Sequence, residues 1–346
     1  MSSDCAMATK ARAMFGNRLK EEDYFKLLQK KSVGEVAYAL RHETYFSETL
    51  EGINEKAIHR GALETLLKMD LFTRLRKLLR YASDDDAQFV YCAVMNVEVQ
   101  ILLMCIRSFS EEDGGNSRSE MIQHMPIYIS KYLSFPIEKL ADVYNFHDLL
   151  EVLKETSYEP IIRRYAKDYF EEIDYIGLEH DLRVRYYDTL LKMIHQYTKG
   201  AASEEMQKDT LTRVEMDNIS IIYRLKKFFK ASPDDIKKLI TPMYASFNER
   251  EMNHLIYDCN GEEVIEALQK KYRRYIGKIP FTNIEHYTHL IRFQLNHHFI
   301  EYYTEPALVL LSYMLLSEME IDNVINIIEG VRYHIQPERI KKMLVY

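Results

Sequence analysis

Chain breakers are scarce in this sequence, and their scarcity constrains the fold more than any other feature. Only 11 glycines and 8 prolines occur in 346 residues, well under the roughly 12% combined share usual in soluble proteins. β-Sandwiches and barrels need many tight turns, and dinucleotide-binding folds need glycine-rich phosphate loops. A chain this poor in both residues is expected to run as long helices with few interruptions. The apolar pattern agrees. Between Ala62 and Tyr81, Leu63, Leu66, Leu67, Leu71, Leu75, Leu78 and Leu79 recur in steps of three and four, with Lys68, Arg74, Arg76, Lys77 and Arg80 beside them. The same stripe returns in Leu182–Tyr197 and in Ile284–Tyr303. No alternating run is long enough to predict a strand, so the expected class is all-α.

The breaks are local. The polar run 108–119, holding Gly114-Gly115, and the stretch Thr198–Gln207 read as loops, and Gly277-Lys278-Ile279-Pro280 as a third. Ser83-Asp84-Asp85-Asp86 reads as a loop entering a helix N-terminus, and Ser232-Pro233-Asp234-Asp235 as an N-cap with proline in the first turn.

This length allows two or three domains, and an internal repeat selects three. Leu40, Glu43 and Tyr45 return as Leu153, Thr156 and Tyr158, and less completely as Leu255, Asp258 and Asn260. A second pattern, Glu215-Met216-Asp217-Asn218-Ile219, returns as Glu320-Ile321-Asp322-Asn323-Val324, with a reduced first copy at Glu98–Ile101. The two patterns keep their order and a long amphipathic helix falls between them. Three helical units follow, at 1–118, 119–231 and 232–346.

Composition and motifs exclude several functions. The net charge of −7 disfavours non-specific nucleic-acid binding, which needs a basic footprint. Cys5, Cys92, Cys105 and Cys259 form no CxxC pair and read as reduced thiols of a cytosolic protein. No leader-like apolar stretch opens the sequence, and Val99–Ile106 and Ala307–Leu316 fall far short of the ~20 residues of a membrane span. There is no GxxxxGK[ST], GxSxG or HExxH.

The best metal candidates are His286, His289, His297 and His298, with Glu285 as a further carboxylate. His286 and His297 stand ~16 Å apart along a helix, too far for one ion. Cys92 and Cys105 stand ~20 Å apart by the same rise. No catalytic, cofactor or metal site is expected. On a helix, Glu215 and Asp217 diverge by roughly 200°, which suits two separate contacts, to backbone or to Arg213 or Arg224, better than an acid–base pair. The 26 tyrosines beside zero tryptophans suit half-buried surfaces. Clusters at Tyr165–Tyr175 and Tyr272–Tyr275 are read chiefly as helix packing, with partner contact as the alternative.

The motifs together resemble the family of the C and d subunits of V-type and A-type rotary ATPases. Ala11-Arg12-Ala13-Met14 with Arg18-Leu19 is similar to that family's opening segment, and Thr212–Ile219 followed by Arg224 to its second-repeat motif. Glu320–Gly330 followed by Ile335, Pro337, Glu338 and Ile340 is similar to its C-terminal signature. The order of these motifs, covering essentially the whole chain, carries the resemblance. It implies a funnel of three similar helical units around a pseudo-threefold axis, seated between the membrane rotor ring and the central-stalk subunits. Such a part couples stalk rotation to proton or sodium movement and has no catalytic site. It implies a peripheral place on the cytoplasmic face of a membrane complex. Glu215, Asp217, Asn218, Arg224, Glu320, Asp322 and Asn323 are the candidate funnel-wall or partner-contact residues. The competing readings are a soluble helical scaffold binding a partner peptide, or a helical metal-dependent hydrolase built on the His286–His298 segment.

Overall fold

The computed structural model describes residues 3–81, 84–110, 133–167 and 172–346. Among them there is no strand, and the chain is all-α. It divides into two compact units, one formed by Met1–Ser83 with Ile194–Tyr346 and the other by Asp84–Met193.

In the larger unit, α1 (Ser3–Gly16), α2 (Glu21–Leu28), α3 (Val33–Glu43) and α4 (Arg60–Leu79) come first. In the smaller unit, α5 (Asp84–Arg107) ends in a 3-10 turn at Ser108–Ser110, and a second such turn, Ile137–Asp142, precedes α6 (Phe146–Val152) and α7 (Glu159–Tyr165). Helix α8 (Tyr175–Tyr197) leads back to the larger unit. There α9 (Gly200–Arg224) closes in a π-helical turn, Leu225–Phe229, ahead of α10 (Pro233–Lys238), α11 (Glu249–Tyr257), α12 (Gly261–Lys271) and α13 (Arg273–Ile276). Two long helices, α14 (Ile284–Tyr302) and α15 (Pro306–Arg332), and the short α16 (Pro337–Lys341) complete it. The element order therefore recurs: a long helix, a second long helix, then a group of short ones.

Local chemistry sets these boundaries. Asn248 and Asn260 each accept from the backbone N–H three residues on, while Glu251 and Glu263 reach back to the cap N–H, so both helices begin with a complete capping box. Ser232 accepts from the Asp235 N–H with Pro233 in the first turn, as its sequence predicts. Gly277, at φ +63°, ends α13 in a conformation that a side chain would resist. The expected loop Thr198–Gln207 is much shorter. Lys199 is extended, Gly200 turns at φ +63°, and α9 then runs directly through Ala201-Ala202-Ser203. Good helix formers past the single glycine continue the helix. Of the run 108–119, residues 111–119 lie outside the described residues, as do Ser83 and residues 168–171 of the tyrosine cluster; the side chain of Cys5 does too.

Helix α15 is the centre of the larger unit and packs on α14, α1 and α4, while α9 packs on α14. Its last turns join Val36, Leu40, Phe46, Leu63 and Leu67 in one core, with Ile327, Ile328 and Ile340 fully or almost fully buried. A second core gathers Met216, Ile219 and Ile222 of α9 against Met252, Val264, Leu268 and Tyr287. Each such side chain contributes about 1.5–3 kcal/mol relative to exposure. Gly330 shows why a glycine sits late in α15: a β-carbon there would stand 2.3 Å from Ile340 Cδ1. The absence of that atom lets α16 dock.

Candidate functional site

The Glu215 carboxylate of α9 is fully buried, and no ion pair involves it among the described residues. It is held by hydrogen-bond donors instead. Ala245 and Phe247 donate their backbone N–H groups at 2.9 and 3.0 Å, Ser246 donates its own at 3.3 Å, and the Tyr272 hydroxyl donates at 2.5 Å. The bend before α11 would otherwise leave these backbone groups without partners, and charge-assisted bonds to one carboxylate satisfy them together. One turn along the same face, Asn218 clamps both backbone polar groups of a single residue. Its Nδ2 donates to the Thr241 carbonyl at 2.8 Å, and its Oδ1 accepts from the Thr241 N–H at 3.0 Å.

Helix α15 repeats this pair. Glu320 accepts from the Leu19 N–H at 2.5 Å and from the Tyr45 hydroxyl at 2.5 Å. Asn323 clamps Val345 as Asn218 clamps Thr241, at 2.7 Å to the carbonyl and 3.1 Å from the N–H. This copy adds a cation. Arg74, buried on α4, donates Nη1 to Glu320 at 2.9 Å and to Ser317 at 3.2 Å, and Nε to Asp70 at 2.6 Å, while Nη2 reaches the Tyr45 hydroxyl. Residues from the start of the chain thus complete a site whose glutamate lies near its end. The opening motif takes part nearby, where Arg12 Nε donates to the Ile300 carbonyl at 2.7 Å and Nη2 to the Tyr303 carbonyl at the end of α14.

In the smaller unit, Glu98 of α5 is fully buried and accepts from the Tyr158 hydroxyl at 2.6 Å and from the Ser134 N–H. Ile101 stands where the other copies have asparagine. Burial pushes the Glu98 carboxyl above its ordinary value, and the Ser134 and Tyr158 hydrogen bonds only partly oppose this. Burial and then the adjacent carboxylate push the phenols of Tyr45, Tyr158 and Tyr272 well up, so all three remain donors.

Two details of the sequence pattern change in the structure. The threonine that tethers its own turn in the first copy is Thr44, bonded to the Leu40 carbonyl as Thr156 is to Leu153, rather than the neighbouring Glu43. The third copy does have its tyrosine. It is Tyr272, displaced from Asn260 by the whole of α12, and Asn260 itself is the N-cap of that helix.

Of the seven candidate residues, Glu215, Asn218, Glu320 and Asn323 are buried in these contacts. Asp217 and Asp322 are half-buried, and Arg224 is exposed with Nε 3.8 Å from Glu285. Burial, then the Glu318 carboxylate, pushes the Asp322 carboxyl up to about 7 against the opposing pull of Lys68 and Arg292. The stability contributed by a raised carboxyl is complete below its ordinary value and is lost as pH rises through the folded value. Asp322→Asn is therefore expected to become progressively more stable than the parent from about pH 4 to about pH 7, by at most about 1.4 kcal/mol per pH unit. Urea midpoints across that range measure it; a difference that does not change with pH would show that Asp322 carries no such shift.

The histidines of α14 serve packing. Burial lowers His286, and burial together with Arg292 and His286 lowers His289 to about 4. His297 meets Phe15 edge to face and Phe293 at a tilt, and His298 lies against Tyr302. Among the described residues no group of three or more His, Cys, Asp or Glu is gathered closely enough to hold a metal ion, and no helix is long and apolar enough to cross a membrane.

An all-helical chain whose buried acids fasten long helices to the segments beside them is built as a structural subunit. Residues 7–343 match the family described as ATP synthase (C/AC39) subunit, and the chain belongs to that family. It is similar to the C subunit of the A-type ATP synthase of Methanosarcina mazei, 24% identical over 355 residues, covering 99% of this chain and 93% of the relative. It is also similar to the protein of the same name from Methanosarcina acetivorans, 21% identical over 346 residues, with 97% and 91% covered. The protein is accordingly a non-catalytic subunit of a rotary ATPase, and its partners are other subunits of that complex.

Proposed function

We propose that the chain is the socket that links the central stalk to the membrane rotor ring and transmits torque for ATP-coupled proton or sodium transport. One observation carries this reading: the same fastening is used three times, at Glu98, Glu215 and Glu320, each accepting from a tyrosine hydroxyl and at least one backbone N–H. The repetition supports three like units, which the sequence repeat bounds at 1–118, 119–231 and 232–346, and we place them as a funnel about a pseudo-threefold axis. Repeated surfaces suit a ring of repeated subunits. Buried charge-assisted bonds resist the sliding of a helix past its neighbour, so load passes with little bending.

Under this reading Glu215, Asn218, Glu320 and Asn323 position the helices. Asp217, Arg224 and Asp322, which keep exposure, face the stalk or line the wall. The protein sits peripherally on the cytoplasmic face, and ATP is hydrolysed or made elsewhere in the complex. The test is a pull-down of the tagged chain from detergent-solubilised membranes. Both a ring proteolipid and a stalk subunit are expected; recovery of only one removes the linking role, and recovery of neither overturns the reading.

A further inference from the structure

Exposed aromatic side chains stand at two equivalent places in the larger unit. Phe228, 66% exposed, follows Glu215 by 13 positions, and Tyr333, 62% exposed, follows Glu320 by 13. Phe229 beside the first is 69% exposed. Each place is followed at once by a residue with positive φ, Lys230 at 49° and His334 at 53°. Both lie at the end of the unit where α14 begins. Arg224, four positions before Phe228, reaches Glu285 in the opening turn of α14, and α15, which packs on α14 and is joined to its other end by residues 303–305, carries Tyr333 at its far terminus. The residue after Glu285, His286, hydrogen-bonds the backbone of Met343, ten positions after Tyr333. Met343 is itself 45% exposed.

The charge around them runs against that of the whole protein. The net charge is −7, yet residues 226–238 carry five lysines against two aspartates, and residues 332–342 carry four basic residues against one glutamate. Glu262, Glu285 and Glu21 pair with Lys227, Arg224 and Lys341. Lys230, Arg339 and Lys342 are exposed, and no ion pair involves them among the described residues.

We propose that this end of the larger unit rests on an anionic lipid surface, with Phe228, Phe229 and Tyr333 at headgroup depth and Lys230, Arg339 and Lys342 against the phosphates. Aromatic rings and long basic side chains suit that boundary, since rings favour the interfacial layer and each cation gains from the negative surface. Side chains projecting from helix ends, rather than lining a concave site, match a fluid surface that needs no complementary shape. The inference goes beyond the socket reading, and its expected results are read on vesicles that contain no rotor ring.

The sequence has no tryptophan, so Phe228→Trp gives the full chain a single reporter. The probes are vesicles of phosphatidylcholine alone and with phosphatidylglycerol. The variant should float with the anionic vesicles only and its emission should shift to the blue. Added salt should reverse both effects, and Lys230→Gln and Lys342→Gln should each weaken binding about fivefold. Tyr302→Trp, at the opposite end of α14 and 70% exposed, should stay unshifted. Absence of flotation, or flotation with the Phe228→Trp emission unmoved, overturns the proposal. So does a shift produced by detergent-purified rotor ring and not by vesicles, which would make the surface a protein interface.

Discussion

Glu215→Ala is expected to destabilise the larger unit by about 4–6 kcal/mol, enough to unfold many domains outright. The size follows from what the substitution strands. Three backbone N–H groups and the Tyr272 hydroxyl donate to this one carboxylate. Each buried donor left without a partner costs about 1–3 kcal/mol, and relaxation or entering water recovers part of the total. The series should be graded. Tyr272→Phe removes one bond to a charged acceptor, worth about 1.5–3 kcal/mol. Glu215→Gln should fall between, because its amide oxygen still accepts while its NH2 confronts donors. Urea unfolding followed by circular dichroism measures all three. Two compact units allow two transitions, and only the one belonging to Met1–Ser83 with Ile194–Tyr346 should move. A Glu215→Ala midpoint unchanged from the parent would mean that this carboxylate does not hold the bend before α11.

The helices were readable from spacing, because the apolar stripes of α4, α8 and α14 are long and few breakers interrupt them. Glu215, Asn218, Glu320 and Asn323 were also readable, since the motif returns intact. Their partners were not. Asn218 and Asn323 grip peptide groups 23 and 22 positions on, and a backbone group has no sequence signature. Tyr272 was hidden because an extra helix, α12, separates it from the position where the repeat expects it. Thr198–Gln207 reads as loop on the sequence because a lysine–glycine pair looks like a longer break than the one left-handed residue, Gly200, makes. Arg74 is the instructive omission. On the sequence it is one of five cations beside an apolar stripe, each normally a solvated flank. What buries it is Glu320, 246 positions away, and no local pattern carries that distance.

Arg74→Met should therefore be the second large loss, about 3–5 kcal/mol, because it leaves two carboxylates buried without their cation. Asp70 and Glu320 each keep only about 6–7% of their side-chain surface. Lysine is not an adequate substitute. The guanidinium sends Nε to Asp70, Nη1 to Glu320 and Ser317, and Nη2 to Tyr45, a planar fork that one ammonium cannot reproduce. Its plane also covers the Tyr45 ring at 4.5 Å. Arg74→Lys should lose roughly half as much as Arg74→Met by the loss of this fork. The cycle with Asp70→Asn isolates the Asp70 pairing: once Asp70 is neutral, Arg74→Met should cost about 1–3 kcal/mol less than in the parent. Strict additivity would instead assign the loss to the Glu320 pair, the stem and the ring contact. The location gives the result its reach. Glu320 holds the Leu19 N–H and the Tyr45 hydroxyl as well as Arg74, so this cation fixes the carboxylate on which α15 receives the start of the chain. In the Arg74→Met protein the segment before α4 should become the first site of proteolytic cleavage, while the Glu215 fastening, which needs no cation, stays intact.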